Sequence, residues 1–427
     1  MNPPSATNLL RRPREIKRKN EKTGNMAPRM SEIATELSAR SRLLRPTAVN
    51  SILAEVAQLR RQGRRLVSLL RGEPDLPTPA HIVEAACRAL REGRTHYPDN
   101  RGEPALREAV AEKLLRENGV AYDPGSEVLV TGGATFGLWA ALTATLNEGE
   151  QVLLPEPIYD AYTPVIRLAG GRIRPVRARL AGGRYGLTGE DLEAAWNPAV
   201  KLLLLNTPWN PTGTVLTRDE LASVAAFAER RNLIVASDEI YEAITYDGRI
   251  HISPAALGEE IRQRTILINS LSKTYAMTGW RIGYAAAPRP ILEAMFLVLQ
   301  QSSRGPATFV QDAAVAALRG PREPVEAMRA EYERRRRLVA ERLDGAGGAR
   351  LIQPEGGFFA LLDVRALNRP SEEIRRGLLE DHGVVVVHGA AYGPAGEGTL
   401  RISFAAGGPT LETGLVRLRE GLDHLAG

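Results

Sequence analysis

Four short apolar runs, Gln151–Leu154, Val200–Leu205, Leu233–Ala236 and Thr265–Ile268, constrain the fold of this chain more than any other feature. Each is bounded by Gly, Pro, Asn, Asp or Ser, as expected of strands buried on both faces of a parallel sheet. Parallel neighbours need crossover connections, and the intervals between the runs are long enough to be helices. Ala80–Leu90, Ala105–Leu115 and Thr135–Leu146 carry helical apolar spacing, and Glu127–Val130 reads as a further short strand. The expected fold class is therefore α/β, with a mixed, mostly parallel sheet covered by helices on both faces.

The pattern differs at the two ends. From about residue 31 it becomes helical, with Ile52, Leu53, Val56 and Leu59 at helix spacing before the loop Arg71-Gly72-Glu73-Pro74-Asp75. Beyond about residue 315, a charged helix (Pro324–Leu343) leads into a Gly-rich stretch and two strand candidates, Phe358–Asp363 and Leu400–Phe404. This suits a smaller α+β domain. The expected organisation is a large domain over 76–314, a small domain built from 31–75 and 315–427, and a basic N-terminal extension over 1–30. At 427 residues the chain can hold two packed domains. No internal repeat or low-complexity linker interrupts them.

Composition narrows the function. Hydrophobic content of 43% with 25% charged residues suits a globular protein. No run approaches the roughly 18 apolar residues of a membrane span, and no apolar secretory segment opens the sequence. The single cysteine, Cys87, excludes an intrachain disulfide and a cysteine-built zinc site, so no metal is expected and a cytoplasmic setting is. The net charge of +6 suggests nucleic acid until it is located. Residues 1–30 hold eight basic and two acidic residues, which leaves 48 of each sign in the rest. The excess thus belongs to a tail, read as a solvated arm, a start placed upstream of Met26 or Met30, or an arm for polyanions. A transit peptide fits less well, because the segment lacks amphipathic spacing.

The sharpest chemical signal is Ser270-Leu271-Ser272-Lys273-Thr274-Tyr275-Ala276-Met277-Thr278-Gly279-Trp280-Arg281-Ile282-Gly283. It follows a strand candidate, so Lys273 stands just past a carboxyl strand end, where α/β sheets place ligands. A lysine among small polar residues can form a Schiff base with an aldehyde, and Ser270 and Arg281 can hold an anion beside it. A lone lysine would be a solvated charge; the whole string resembles the lysine signature of the class I/II aminotransferases, the fold-type I enzymes of pyridoxal phosphate (PLP).

Other segments occur in the order that resemblance implies, across residues ~40–405. Val130-Thr131-Gly132-Gly133-Ala134-Thr135 is a Gly-rich turn into a helix, whose free N–H groups favour a phosphate. It resembles the family's phosphate cradle, at Gly133, Ala134 and Thr135, while Trp139 fits the helix core. In Pro155-Glu156-Pro157-Ile158-Tyr159-Asp160, Tyr159 matches the aromatic residue that stacks on the cofactor ring. Asn206-Thr207-Pro208-Trp209-Asn210-Pro211-Thr212-Gly213 resembles the family's Asn-Pro-Thr-Gly loop, which gives Asn210 to the ring 3-oxygen and the substrate carboxylate. In Ser237-Asp238-Glu239-Ile240-Tyr241 the resemblance gives Asp238 to the ring nitrogen and Tyr241 to the 3-oxygen; a helix-capping aspartate is the bland alternative. An anion near that nitrogen keeps it protonated, as an electron sink requires.

The same resemblance gives Arg281 to the phosphate, and gives Arg401 and Gly72 to the substrate α-carboxylate, which a planar fork suits. Tyr97 resembles a tyrosine that reaches the phosphate of a neighbouring subunit, which implies a homodimer with shared active sites. The implied reaction is transfer of an amino group from an L-amino acid to a 2-oxo acid, within amino-acid metabolism, with Lys273 as Schiff-base former and proton carrier. A PLP-dependent C–S β-lyase of the same fold shares these residues. A PLP-sensing regulator would need a DNA-binding module, and the ~40 residues before the fold are too few for a winged helix. One departure touches specificity: where some bacterial aspartate aminotransferases carry a lysine that helps read a distal carboxylate, this chain has Thr135. Pro46–Ile52 and Ser302–Phe309 are the expected pocket linings, with Arg304 their one basic residue, so an aromatic, branched or alanine-type donor stays open.

Overall fold

The computed structural model describes residues 38–427; the basic extension over 1–30 lies outside them. Residues 43–427 form one compact unit built on two main sheets, with two further two-stranded ones.

The larger sheet has seven strands: β1 (Val128–Thr131), β2 (Gln151–Glu156), β3 (Arg172–Arg177), β4 (Val200–Asn206), β5 (Ile234–Asp238), β6 (Thr265–Ser270) and β7 (Gly283–Ala286). Their spatial order is β1-β7-β6-β5-β4-β2-β3. Strands β2 to β6 pair in parallel with their neighbours, and β7 runs antiparallel to both β1 and β6. The expected mixed, mostly parallel sheet is what forms.

Side-chain alternation explains why unbroken apolar runs are needed. Leu202 and Leu204 of β4, with Ile266 and Ile268 of β6, pack on one face against the helices Ala134–Thr145 (α1) and Arg289–Ser302 (α2). Leu203 and Leu205 turn to the other face, where Leu221, Val224 and Phe227 cover them. Val128, Val130 and Leu267 meet a third cluster, built with Ile82, Leu106, Val110 and Ala313. Every residue of Leu202–Leu205 is 1% exposed or less, so no polar position can be spared there. Each such leucine contributes roughly 1.5–3 kcal/mol through burial.

The smaller sheet comprises β8 (Arg350–Ile352), β9 (Phe359–Asp363), β10 (Val387–His388) and β11 (Thr399–Ser403), all antiparallel, in the order β8-β9-β11-β10. Helices α3 (Glu323–Leu343), α4 (Ser371–Asp381) and α5 (Gly408–Ala426) bury Tyr332, Val339, Leu378, Leu415 and Leu418 in the core of this sheet. Near the start of the compact unit, the helix Ala48–Arg61 packs Ile52 and Val56 with Val385 and Val387. Its expected start near residue 31 falls partly outside the described residues; the regular helix begins at Ala48, capped by the Thr47 side chain.

Strand ends differ from the sequence reading in a way that matters. The apolar runs stop at Leu154, Leu205, Ala236 and Ile268, yet the pairing carries on to Glu156, Asn206, Asp238 and Ser270. Asn206 pairs with Asp238 across β4 and β5, and Ser270 with Gly283 across β6 and β7. Backbone hydrogen bonds thereby fix polar side chains in a row along one edge of the sheet.

Candidate active site

That polar row opens into a cavity of about 370 Å³, bordered by Leu70–Gly72, Ala134, Thr135, Tyr159–Tyr162, Asn210, Tyr241, Lys273, Arg281, Phe359 and Arg401 as well as the strand ends. Residues from nine separate segments converge there. The larger sheet supplies the floor, and the smaller sheet supplies Phe359 and Arg401.

Three lysines fall within the described residues, and their settings separate them. Lys113 is buried against Glu242 and Asn118, and Lys201 stands at the start of β4, away from its carboxyl end. Lys273 lines the cavity, and its Nζ donates to the Gly72 carbonyl at 2.6 Å. Burial lowers its pKa to about 8, with Arg281 working in the same direction and Glu73 and Asp238 opposing.

Asp238, the last residue of β5, is 8% exposed. Its carboxylate accepts from the Tyr162 hydroxyl at 2.7 Å and from the Ile240 N–H at 3.3 Å. Burial pushes its pKa up to about 6, and the neighbouring Glu239 adds to the rise. The Ile240 bond is a capping-type contact, but it occupies one oxygen only. Behind Asp238, Glu239 accepts from Ser253 at 2.7 Å and lies 2.8 Å from His251 Nε2, while Glu242 is held by Lys113, Asn118 and Asn269. Asn269 in turn accepts from the Ser270 N–H at 2.7 Å, so this buried network ties β5 to the lysine turn.

The opposite wall is cationic. Arg401, on β11 and 2% exposed, lies with its guanidinium carbon 4.3 Å from the Phe359 ring centroid. It donates to the Leu70 carbonyl at 2.7 Å and to Asn210 Oδ1 at 3.5 Å, and its buried Nε has no partner among the described residues. Asn210 and Tyr241 line the cavity together, and the Tyr241 hydroxyl is pushed well above its ordinary pKa, chiefly by burial. At the other end Arg281 bonds, among the described residues, only backbone carbonyls, of Thr278 at 2.9 Å and Gly132 at 3.4 Å. Gly133 has φ +100°, and a Cβ there would stand 2.8 Å from the Arg281 guanidinium. Only glycine lets that cation approach the start of α1, where N–H groups are unpaired.

Most of the residues singled out in the sequence therefore share one cavity: Gly72, Ala134, Thr135, Tyr159, Asn210, Asp238, Tyr241, Ser270, Lys273, Arg281 and Arg401 line it, and Gly133 stands against Arg281. Tyr97 does not. It is 86% exposed, away from the cavity of its own chain, with Arg304 5.7 Å from its ring. Of the two expected linings, Thr47, Val49 and Asn50 reach the cavity; nothing from Ser302–Phe309 does, because that stretch ends α2 and turns toward Tyr97. Trp139 packs beside Phe136 against the core, as its place on α1 suggests. Sequence reasoning passed over Asn206, Tyr162, Phe359, Arg71 and Asp160. Asn206 carried a signal, since a polar residue directly after a buried run continues that strand; Phe359 did not, because only the sheet packing brings it to Arg401.

The family profile for aminotransferase class I and II matches residues 64–415. The chain belongs to the class I and II aminotransferases. This aminotransferase is 36% identical over 397 residues to the aspartate aminotransferase of Geobacillus stearothermophilus, with 92% of this chain and all of that one covered. It is 41% identical over 358 residues to aromatic-amino-acid aminotransferase 2 of Thermococcus litoralis, covering 83% and 91%. Among solved structures, the Thermus thermophilus aspartate aminotransferase with maleate superposes with a TM-score of 0.85 at 37% identity, covering 90% and 99%. The relatives carry transaminase names, and neither the lyase nor the regulator reading is favoured.

Members of this family depend on PLP, and the residues present fit that group. An unneutralised arginine beside unpaired helix N–H groups suits a phosphate. A buried carboxylate with no basic side chain hydrogen-bonded to it suits a cationic ring nitrogen, and a desolvated lysine suits an aldehyde.

Proposed function

We propose that this aminotransferase holds PLP at Lys273 and moves an amino group from an L-amino acid to a 2-oxo acid in that cavity. The observation that carries the reading is Lys273 itself, the one lysine at the cavity among the described residues, with its pKa lowered to about 8. Arg281, Thr135 and the N–H groups at Gly133 and Ala134 would hold the cofactor phosphate, with Ser270 shaping the turn through its bond to the Ile282 carbonyl. Tyr159 would stack on the ring, Asn210 and Tyr241 would meet its 3-oxygen, and Asp238 its nitrogen.

When bound, PLP supplies an aldehyde for the substrate amine and a ring that withdraws electrons from Cα. Arg401 grips the α-carboxylate with the Nε and Nη atoms that Leu70 and Asn210 leave open, and Gly72 closes over the same group. The Lys273 amine, once free, removes the Cα proton and returns it one carbon away. A pKa near 8 leaves far more neutral amine at pH 7.5 than the usual value near 10.4 would. Asp238, when ionised, keeps a proton on the ring nitrogen beside it. Burial of Asp238 raises its own proton affinity, and a cation beside it reverses that effect.

The exposed Tyr97 supports a homodimer in which it serves the neighbouring site. The single cysteine supports a cytoplasmic enzyme of amino-acid metabolism. The test is a visible spectrum of the purified protein titrated with single amino acids. A band that bleaches with a donor and returns with a 2-oxo acid supports transamination; release of pyruvate and ammonia from a cysteine conjugate would instead mark a lyase.

A further inference from the structure

Six charged side chains line the cavity, and transamination as described above employs four of them, Asp238, Lys273, Arg281 and Arg401. The two left over are Arg71 and Asp160. Arg71 has a partner, since its guanidinium lies 3.5 Å from Glu73, and its side chain is 68% exposed. Asp160 differs. Its carboxylate has one hydrogen-bond partner among the described residues, the Val49 N–H at 3.3 Å, and it is only half-buried. Asp160 also borders the adjoining groove, in which Arg45 and Arg167 stand, but neither arginine lines the cavity, and no ion pair within the described residues joins Asp160 to a cation.

The position of Asp160 is informative. It follows the ring-stacking candidate Tyr159 and touches the segment Thr47–Asn50, which also contributes to the cavity lining. Asp160 and Arg401 line the same cavity, so a ligand that fills it meets both charges. A substrate with its α-carboxylate on Arg401 and its amine toward Lys273 leaves its side chain the rest of this lining, where Asp160 is the one acidic residue besides Asp238. A second carboxylate there would meet a like charge, with Thr135 adding no cation. An ammonium or guanidinium would find an open acceptor.

We propose that Asp160 reads the substrate side chain and selects an amino donor ending in a cationic nitrogen group, such as arginine, ornithine or lysine. This rests on the function proposed above, with Arg401 holding the α-carboxylate. The carboxylate is not needed merely to anchor the helix: the Val49 N–H requires one acceptor oxygen, which asparagine also has. Asp160→Asn therefore removes the charge and keeps the anchor.

The experiment uses the PLP-loaded enzyme and follows bleaching of its visible band with L-arginine, L-ornithine, L-alanine and L-aspartate. In parallel, calorimetry measures binding of 4-guanidinobutanoate, which has no amino group to react, and of maleate. The wild type is expected to prefer arginine or ornithine to aspartate, and Asp160→Asn to weaken 4-guanidinobutanoate binding about tenfold while strengthening maleate binding. A wild type that prefers aspartate and binds maleate more tightly overturns the proposal, whatever the variant does. So does a variant in which neither affinity moves. If no amino acid bleaches the band, the transamination reading itself fails, a result distinct from the wrong order of donors.

Discussion

Arg401 shows how a single residue is prepared for its ligand. Its guanidinium lies on Phe359, two of its nitrogens are held by Leu70 and Asn210, and Nε is left buried without a partner. An unmet donor in that position costs roughly 1–3 kcal/mol, which the proposed substrate carboxylate would offset. Arg401→Lys loses the planar fork, and the KM for the amino donor is expected to rise at least tenfold while the cofactor band stays in place. Asp238 provides a second test, through pH. Its native pKa of about 6 lies above that of an unfolded aspartate, so the folded state binds the extra proton. In the cofactor-free protein stability therefore falls as pH rises from 4 to 6, by about 2 kcal/mol from this group. Urea unfolding at pH 4.5 and 6.5 should show that loss in the wild type and not in Asp238→Asn. Equal slopes would mean that Asp238 is not desolvated.

At the scale of elements, the site depends on where strands end and on one loop. The residues 70–75 are pinned by the smaller sheet and its helix: Ser403 donates to the Arg71 carbonyl at 2.6 Å, and Asp75 accepts from Arg335 at 2.8 Å and from the Gly407 N–H at 2.7 Å. Arg335 is 3% exposed on α3, so its loss leaves Asp75 short of a partner and a gap in the core. Arg335→Met is expected to cost about 2 kcal/mol, less than a fully buried pair because Asp75 is half-exposed. Because Gly72 sits in the same loop, the KM for the amino donor should rise with it; unchanged KM would show that the loop holds itself. Legibility in the sequence follows the same division between strands and packing. The runs at 151, 200, 233 and 265 announced the buried strands, since only apolar residues survive where both faces are covered. They did not announce β3, whose exposed arginines suit a sheet edge, or β7, a four-residue antiparallel strand that interrupts the parallel order. Lys273, Asp238 and Asn210 were legible because they stand in local strings; Tyr162 and Phe359 were not, because each reaches the cavity through packing between distant segments.

For the whole molecule, the exposed Tyr97 and its neighbour Arg304 make sense as part of an assembly. If Tyr97 completes the site of a second copy, Tyr97→Ala should weaken PLP retention on dialysis without altering the chain's own cavity, and sedimentation should report a dimer. A wild-type monomer with full activity would contradict that arrangement. The proposed chemistry turns on Lys273, and the scarcity of lysine makes that role open to direct chemical mapping. The whole sequence holds six, Lys17, Lys19, Lys22, Lys113, Lys201 and Lys273, well enough separated for peptide mapping. The PLP-loaded protein would be reduced with borohydride, digested and analysed by mass spectrometry. A pyridoxyl adduct confined to the peptide containing Lys273 is the predicted result. An adduct on Lys113 or Lys201, or none at any lysine, would contradict it.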